Sequence, residues 1–328
     1  MIALAIGAIV AALVFDFLNG FHDAANSIAT IVGTRILKPL PAVGIAAFAN
    51  FAGPFLFGVA VATTIGKGII NPDFVTLDII IGALAGAIVW DIITWVLGLP
   101  TSSSHALVGG ILGAGLAGAG TKAVIFGGLQ TVLTGIIVSP IAGLATAFLI
   151  ALLIMRIFAK VKPRTVNSVF GRLQLVSSTY FSLTHGANDG QKTMGVIALI
   201  LLTQGVITTF SIPSYVILMA ATAMSLGTFF GGWRIVKTMA MRITNLRPYQ
   251  GFSAETGAAT ILATLAWAGV PASTTHAISG GIMGVGAVRR LSAVRWGVGK
   301  RIVWAWIITI PASASVSFVI TWMITGLK

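Results

Sequence analysis

The stretch GLPTSSSHALVGGILGAG at residues 98–115 returns as GVPASTTHAISGGIMGVG at residues 269–286. Aligned without a gap, the copies share Gly98/Gly269, Pro100/Pro271, Ser102/Ser273, His105/His276, Gly109/Gly280 and Gly113/Gly284. Only hydroxyl-bearing or tiny residues lie between Pro and His, and apolar sequence flanks both copies. A proline followed by small polar residues cannot continue a lipid-facing helix, because freed backbone groups cost several kcal/mol in hydrocarbon. Such a break survives only inside protein or beside a cavity. Each copy therefore reads as the tip of a re-entrant hairpin: helix in, hydroxyl-rich turn, helix back out. The returning helix is expected to start near Ser104 or Thr275, with its free N–H groups and positive dipole end aimed at the centre.

The whole composition agrees with a membrane setting. Of 328 residues, 57% are hydrophobic and 8% charged, against about 25% charged in a soluble domain. The net charge of +13 does not mark a nucleic-acid binder. The Lys and Arg sit in short stretches between apolar segments, as the positive-inside rule requires. There is no cysteine, so neither disulfides nor thiolate metal sites arise. Residues 1–20 lack a basic leader and end in Asp16, Asn19 and Gly20, which reads as a retained first helix rather than a signal peptide.

Taken in order, the chain repeats itself. An apolar segment interrupted by GFHDAANSIAT (20–30) is followed by a span at 41–65, the first hairpin, and a long apolar run at 122–155 containing Pro140. That run equals about 50 Å of helix at 1.5 Å per residue, longer than a bilayer is thick. After basic residues 156–172, read as a cytoplasmic loop, a second segment is interrupted by THGANDGQKTMG (184–195). A span at 212–236, the second hairpin and a last run with Pro311 follow. The division is thus 1–155, 156–172 and 173–328. Each half crosses the membrane an odd number of times, so the halves are expected to be inverted. With both termini outside, the inner face collects Arg35, Lys38 and the basic residues of 156–172, 234–247 and 289–301. The outer face keeps Lys67, Lys122 and Lys328. The expected fold is an all-α integral membrane protein of two inverted-topology repeats, each with a broken helix, spanning helices and a re-entrant helical hairpin. That is the plan of secondary transporters.

The chemistry concentrates in the same motifs. All four histidines, His22, His105, His185 and His276, lie there, as do Asp23 and Asp189. A lone intramembrane histidine is usually a packed side chain; four in matched interruptions point to function. The histidines show no local ligand pair, so no metal site is assigned to them. Hydroxyls Ser102, Ser103, Ser104, Ser273, Thr274 and Thr275, with two helix N-termini, offer donors suited to a tetrahedral oxyanion. Ser and Thr also bond their own helix backbone, and the repetition with matching histidines favours the site. Asp23 and Asn26 in the first half match Asp189 and Lys192 in the second, with Asn188 an added amide. Carboxylates beside an anion need a cation or a proton, which is the logic of symport. Lys192 replaces an amide with a built-in cation, leaving protonation of Asp23, His22 or His185 as the coupling event. Asp91 on a hairpin arm is a further proton-path candidate. Asp16 and Glu255 are secondary, and a carboxylate two residues past Ser253 also suits simple helix capping. His105 and His276 are assigned to hairpin support.

These motifs resemble those of the inorganic phosphate transporter (PiT) family. GFHDAANSIAT and THGANDGQKTMG look like its paired signatures, and LPTSSSH and VPASTTH like its paired hairpins; the resemblance covers nearly the whole chain. It implies a phosphate symporter of two inverted repeats, usually dimeric, in the cell membrane. By resemblance, phosphate and coupling-ion residues are Asp23, Asn26, Ser102, Ser103, Ser104, Asn188, Asp189, Ser273, Thr274 and Thr275. Two departures matter. His22 and Lys192 stand where sodium-coupled relatives carry Asn, and both resemble the bacterial proton-coupled branch, which takes phosphate with or without a divalent metal. The expected function is therefore proton-coupled phosphate import by alternating access, without a cofactor. Sodium coupling and sulfate as the anion are the alternatives. A channel would need a continuous pore lined by rings of like residues. A hydrolase built on Ser102–Ser104 and His105 would need an orienting carboxylate beside the pair.

Overall fold

The hairpins are where the sequence placed them. The computed structural model describes residues 2–326; residue 1, where the first half assigned above begins, and residues 327–328, where the second ends, lie outside these, Lys328 among them. Twelve α-helices are formed among the described residues, joined by short turns and three 3₁₀ segments. α4 (Leu77–Leu97) and α5 (Ser103–Ala119) are the arms of the first hairpin, α10 (Pro248–Trp267) and α11 (Thr274–Ala287) those of the second. Gly98 and Gly269 end the inbound arms at φ 64° and 68°, a left-handed turn that favours glycine. The arms of each hairpin begin and end together. Asn71 N–H donates to the Ala123 carbonyl (2.9 Å), and Arg295 N–H to the Ile243 carbonyl (3.0 Å). The tip residues Thr101–Ser104 and Ala272–Thr275 are buried. Both hairpins therefore turn inside the protein and return to the side from which they came.

The breaks in the spanning helices fall elsewhere than expected. α1 (Ile2–Gly33) and α7 (Pro163–Thr203) run unbroken through GFHDAANSIAT and THGANDGQKTMG. Neither motif contains proline, and most of their polar side chains find a partner on a neighbouring element, so the backbone keeps its own bonds. The interruptions lie instead in the following spans. α2 (Pro39–Phe57) gives way to α3 (Ala60–Gly68) at Gly58, and α8 (Ser214–Phe230) to α9 (Trp233–Met241) at Gly231–Gly232 with a bend of 68°. Gly58 and Gly231 take φ of 77° and 65°. The basic stretch 156–172 is also mostly not a loop. α6 (Phe126–Ile157) runs into its first two residues and α7 starts at Pro163, so Arg164 and Arg172 ride on helix. Proline suits a first helical position, where its missing N–H has no partner to lose. Pro140 and Pro311 leave α6 and α12 (Trp296–Gly326) continuous.

Packing pairs elements of one half with those of the other. α12 lies on α4 and α5, and α6 lies on α10 and α11; α1 packs on α8 and α9, and α7 on α2 and α3. The repeated glycines set these contacts. Gly109 and Gly113 of α5 meet the Ile310 and Ala314 carbonyls of α12, while Gly280 and Gly284 of α11 meet the Pro140 and Leu144 carbonyls of α6. Small residues four apart let helix backbones approach within the membrane. Two apolar clusters result. One gathers Ile28, Phe181, Ile235 and Ile282, the other Phe15, Ile65, Leu107 and Ile197. Along α1 and α7 the polar motifs fall between them. Among the described residues six helices are long and apolar enough to cross a bilayer, or seven if the bent α8–α9 pair is one span.

The 32 residues of α6 separate the ends of the molecule by about 48 Å at 1.5 Å per residue. Asn71 adjoins the strand-like bridge before α6, and Lys160 follows its end. Single cysteines at these two positions are expected to react with an impermeant maleimide from opposite sides of the membrane, Asn71 from outside. Labelling of both from one side would contradict the arrangement.

Candidate functional site

Four elements converge between the apolar clusters: the middles of α1 and α7 and the two hairpin tips. Gly20 and Gly186 place the two long helices. Gly20 lies against the Met224 carbonyl of α8, and Gly186 against the Asn50 carbonyl of α2. These close approaches turn Asp23, Asn26, Asp189 and Lys192 towards the tips.

Lys192 is the hub. It does not snorkel; it is 1% exposed. Its ammonium donates to Asp189, to Ser104 of the first tip, and to the Ala272 carbonyl of the second (3.1 Å). All three donors are committed. Thr274 Oγ1 donates to Asp189 Oδ2 at 2.9 Å, and His185 Nε2 lies 3.2 Å from the same oxygen. On α1 the amide of Asn26 takes the matching place, donating to Thr275 Oγ1 (2.9 Å) and, more weakly, Thr274 Oγ1 (3.4 Å). Thr275 in turn donates to Asp23 at 3.4 Å. His22 pairs with Asp23 through Nδ1 (2.9 Å) and with Thr94 of α4 through Nε2 (3.2 Å). Oxygen or nitrogen atoms of Asp23, His185 and Asp189 lie within 4.8 Å of one another, close enough for one cation to touch all three. Histidine spacing in the sequence gives no sign of such a cluster.

The tips also hold unused donors. Ser102 and Ser103 are buried, and their hydroxyls have no hydrogen-bond partner. The first N–H groups of α5 and α11 have no helical acceptor by construction. Ser273 caps α11, its Oγ accepting from His276 N–H at 3.2 Å. Asp91, buried with both oxygens unpartnered, faces Ser103 and His22. His105 and His276 meet edge to face with centroids 4.3 Å apart, and His276 stacks on Trp306 at 3.8 Å. Trp306 Nε1 donates to the Pro100 carbonyl at 3.0 Å, fastening α12 to the first tip. The two histidines thus join one hairpin to the other.

Two expected residues are placed differently. Asn188 commits its amide donors to the Thr184 and Leu262 carbonyls (2.9 and 3.2 Å), so it offers none to an anion. Glu255 neither caps a helix nor meets the tips, because α10 starts seven residues earlier at Pro248. It accepts from Thr30 Oγ1 (2.5 Å), Gln174 Nε2 (3.1 Å) and Ser177, in a separate buried cluster of α1, α7 and α10. Sequence reading missed Asn50, Ser27 and Gln191. Asn50 and Ser27 contact His185 Nδ1 (3.0 and 3.4 Å), and Gln191 Oε1 accepts from Val61 N–H at the start of α3 (2.9 Å). Asn50 is a single polar residue in an apolar run, whereas Ser27 and Gln191 sit inside GFHDAANSIAT and THGANDGQKTMG beside ionisable residues that drew the reading away from them.

A multi-pass helical membrane protein with two hairpin tips enclosing a buried polar site is the plan of a secondary transporter. The chain belongs to the phosphate transporter family, whose family model matches residues 19–317. It is 53% identical, over 96% of its length and 94% of the relative's, to a protein of Rhizobium meliloti described as a "probable low-affinity inorganic phosphate transporter". A Bacillus subtilis protein with the same description is 43% identical over 96% of this chain and 95% of its own. Among solved structures, one described as "The sodium-dependent phosphate transporter" matches with a TM-score of 0.89 and 28% identity. The match covers 99% of this chain and all of that one. The relatives are named as transporters, not enzymes.

Gly186→Ala tests the placement of α7. A Cβ there runs into the Asn50 backbone, which cannot rotate away. Overpacking of this kind costs about 1–3 kcal/mol, so the variant is expected to melt earlier in detergent, followed by size-exclusion chromatography after heating. Unchanged melting would show that α2 and α7 can part freely.

Proposed function

We propose that this protein imports inorganic phosphate across the cell membrane by proton symport with alternating access, both termini outside and the two halves inverted. The observation that carries the reading is the pair of opposed tips. Unpartnered Ser102 and Ser103, the hydroxyls of Ser104, Thr274 and Thr275, and two helix N-termini surround one buried place, backed by Asp23, Asp189 and Lys192. The names of the relatives support phosphate as the cargo. So does Asp91. A phosphate P–OH can donate to its unpartnered carboxylate, whereas sulfate carries no proton to donate, and a buried acceptor left unmet is costly. The exchange of packing partners between the halves supports inversion.

Proton coupling rests on Lys192. Its ammonium already occupies the Asp189 carboxylate and repels a second cation there. Charge brought in by phosphate is then balanced at Asp23 and His22, and an imidazole with an ordinary pKa of about 6.5 suits proton exchange near neutrality. The proton is a co-substrate, so uptake rises as external pH falls. Sodium is the second reading. It is favoured by the name of the solved neighbour and by the closeness of Asp23, His185 and Asp189.

Uptake of labelled phosphate into proteoliposomes separates the two readings. Accumulation on a pH gradient without sodium is expected, with no competition by excess sulfate. Dependence on sodium alone would displace proton coupling. In the same assay, replacing Lys192 by Asn rebuilds the first-half pattern in the second half and is expected to bring sodium dependence. Ser103→Ala is expected to weaken phosphate binding by about 1–3 kcal/mol, the cost of one unmet buried hydrogen bond. Isothermal titration of purified protein checks this, and wild-type affinity would remove the first tip from the site.

A further inference from the structure

The function proposed above uses Asp23, Asp91 and Asp189 and leaves one intramembrane carboxylate near the site without a task. Asp16 lies on α1 two turns before Asp23, about 10 Å along the helix axis at 1.5 Å per residue. It is fully buried. The polar side chains that face it are Asn19, one turn on, and Thr193 of α7; the charges that face it are Asp189 and Lys192, also of α7. α8, packed on the same helix, carries no charged residue. Asp91 of α4 faces His22 and Asp23 instead.

The oxygens of this group are all unsatisfied. Both Asp16 carboxylate oxygens, Asn19 Oδ1 and Thr193 Oγ1 are buried without a hydrogen-bond partner. Lys192 cannot supply one, since its three donors go to Asp189, Ser104 and Ala272. The Thr193 hydroxyl and the Asn19 amide can turn donors towards Asp16, but the Lys192 ammonium that faces it is committed elsewhere, so the charge of this buried acid is met only by a proton or another cation. An isolated ionised carboxylate in such surroundings is among the most costly groups a protein can bury. The architecture does not demand it. The position matched to Asp16 in the second half is Ser182, by the offset of Asp23 to Asp189, and Ser182 simply donates to the Ser178 carbonyl at 2.9 Å. Asp16 is an acid added to one repeat only, as Lys192 is a base added to the other.

We propose that Asp16, Asn19 and Thr193 form a second cation site, separate from the hairpin tips, that takes a monovalent cation. On the proton-coupled reading, on which this inference rests, that cation is the coupling proton. It is held as the Asp16 carboxylic acid, whose O–H then donates to Asn19 Oδ1. Loading this site supplies a positive charge beside α7 that lowers the cost of the anion at the tips, and emptying it after release resets the protein.

The test uses the full-length protein in proteoliposomes as wild type, D16N and D16E. Three quantities are read: phosphate accumulation on an imposed pH gradient, phosphate-driven proton entry by an internal pH dye, and phosphate exchange without a gradient. One proton in a gradient of one pH unit supports about a tenfold phosphate gradient. D16N is expected to lose about that factor together with the matching proton entry, while exchange, which needs no net proton movement, persists. D16E is expected to restore both. Accumulation and proton entry at wild-type level in D16N would overturn the site. So would loss of exchange in both variants, which would make Asp16 structural. The wild-type arm judges the coupling ion independently. If wild type responds to sodium and not to pH, proton coupling fails, and the comparison is made on a sodium gradient. Loss of sodium-driven accumulation in D16N with exchange intact then retains the cation site, and no loss removes it.

Discussion

One ammonium group holds three parts of this protein together. Lys192 belongs to α7, yet its contacts reach the carboxylate of its own helix, the hydroxyl of one hairpin tip and a backbone carbonyl of the other. A buried charge stripped of its partner costs about 3–5 kcal/mol. Any movement of a tip away from α7 must therefore supply Lys192 with another acceptor. On the proposed reading, a phosphate between the tips would provide oxygens for this purpose. Water admitted from one side provides them too, so the tips part most easily where water can follow. The constraint that holds the closed arrangement thus also sets the conditions for opening it.

The same demand for partners governs the backbone. Turning a chain at mid-membrane leaves N–H and C=O groups without helical partners, which is tolerated only inside protein. Exchange of partners between the halves meets this need: α12 covers the first hairpin and α6 the second. The Pro100 carbonyl at the first tip receives the Trp306 indole of α12. Gly135 of α6 lies directly on the Pro271 carbonyl at the second. The hairpins are anchored by glycine contacts along the arms and joined at the tips by His105 and His276, so force on one tip is felt by the other.

Much of this is legible in the sequence because repetition separates signal from accident. The hairpins announce themselves through Pro, hydroxyls and glycine, whose backbone consequences are local and strong. Polarity, by contrast, points to the wrong places for the helix breaks. GFHDAANSIAT looks like an interruption in apolar sequence, but it holds no proline, and partners across the interface for most of its polar side chains override its modest helix propensity. The true breaks, at Gly58 within FLFGVAV and Gly231 within TFFGGW, are set in apolar surroundings and change only the backbone. Hydrophobicity is blind to them. Asn50 and Gln174 are illegible for another reason. Their importance comes from His185 and Glu255, residues distant in sequence that only the fold brings near.

The two halves share a frame and differ in their charges. Under the repeat alignment Asp91 answers to Leu262 and Glu255 to Leu84, while Asp16 answers to Ser182 and Lys192 to Asn26. Every one of these residues is buried. The frame therefore accepts an apolar or neutral side chain at each place, and structural necessity does not explain the charges. Among the described residues, five carboxylates, Asp16, Asp23, Asp91, Asp189 and Glu255, are buried inside the molecule with a single lysine, Lys192. Such an excess of buried acids is unfavourable as it stands, most of all for Asp23, Asp91 and Asp189 beside the proposed anion site. It becomes favourable only when positive charge enters with the anion, which is the thermodynamic definition of coupling in a symporter. On the proposed reading, the repeat supplies the frame, and the departures from symmetry tie its transitions to a cation.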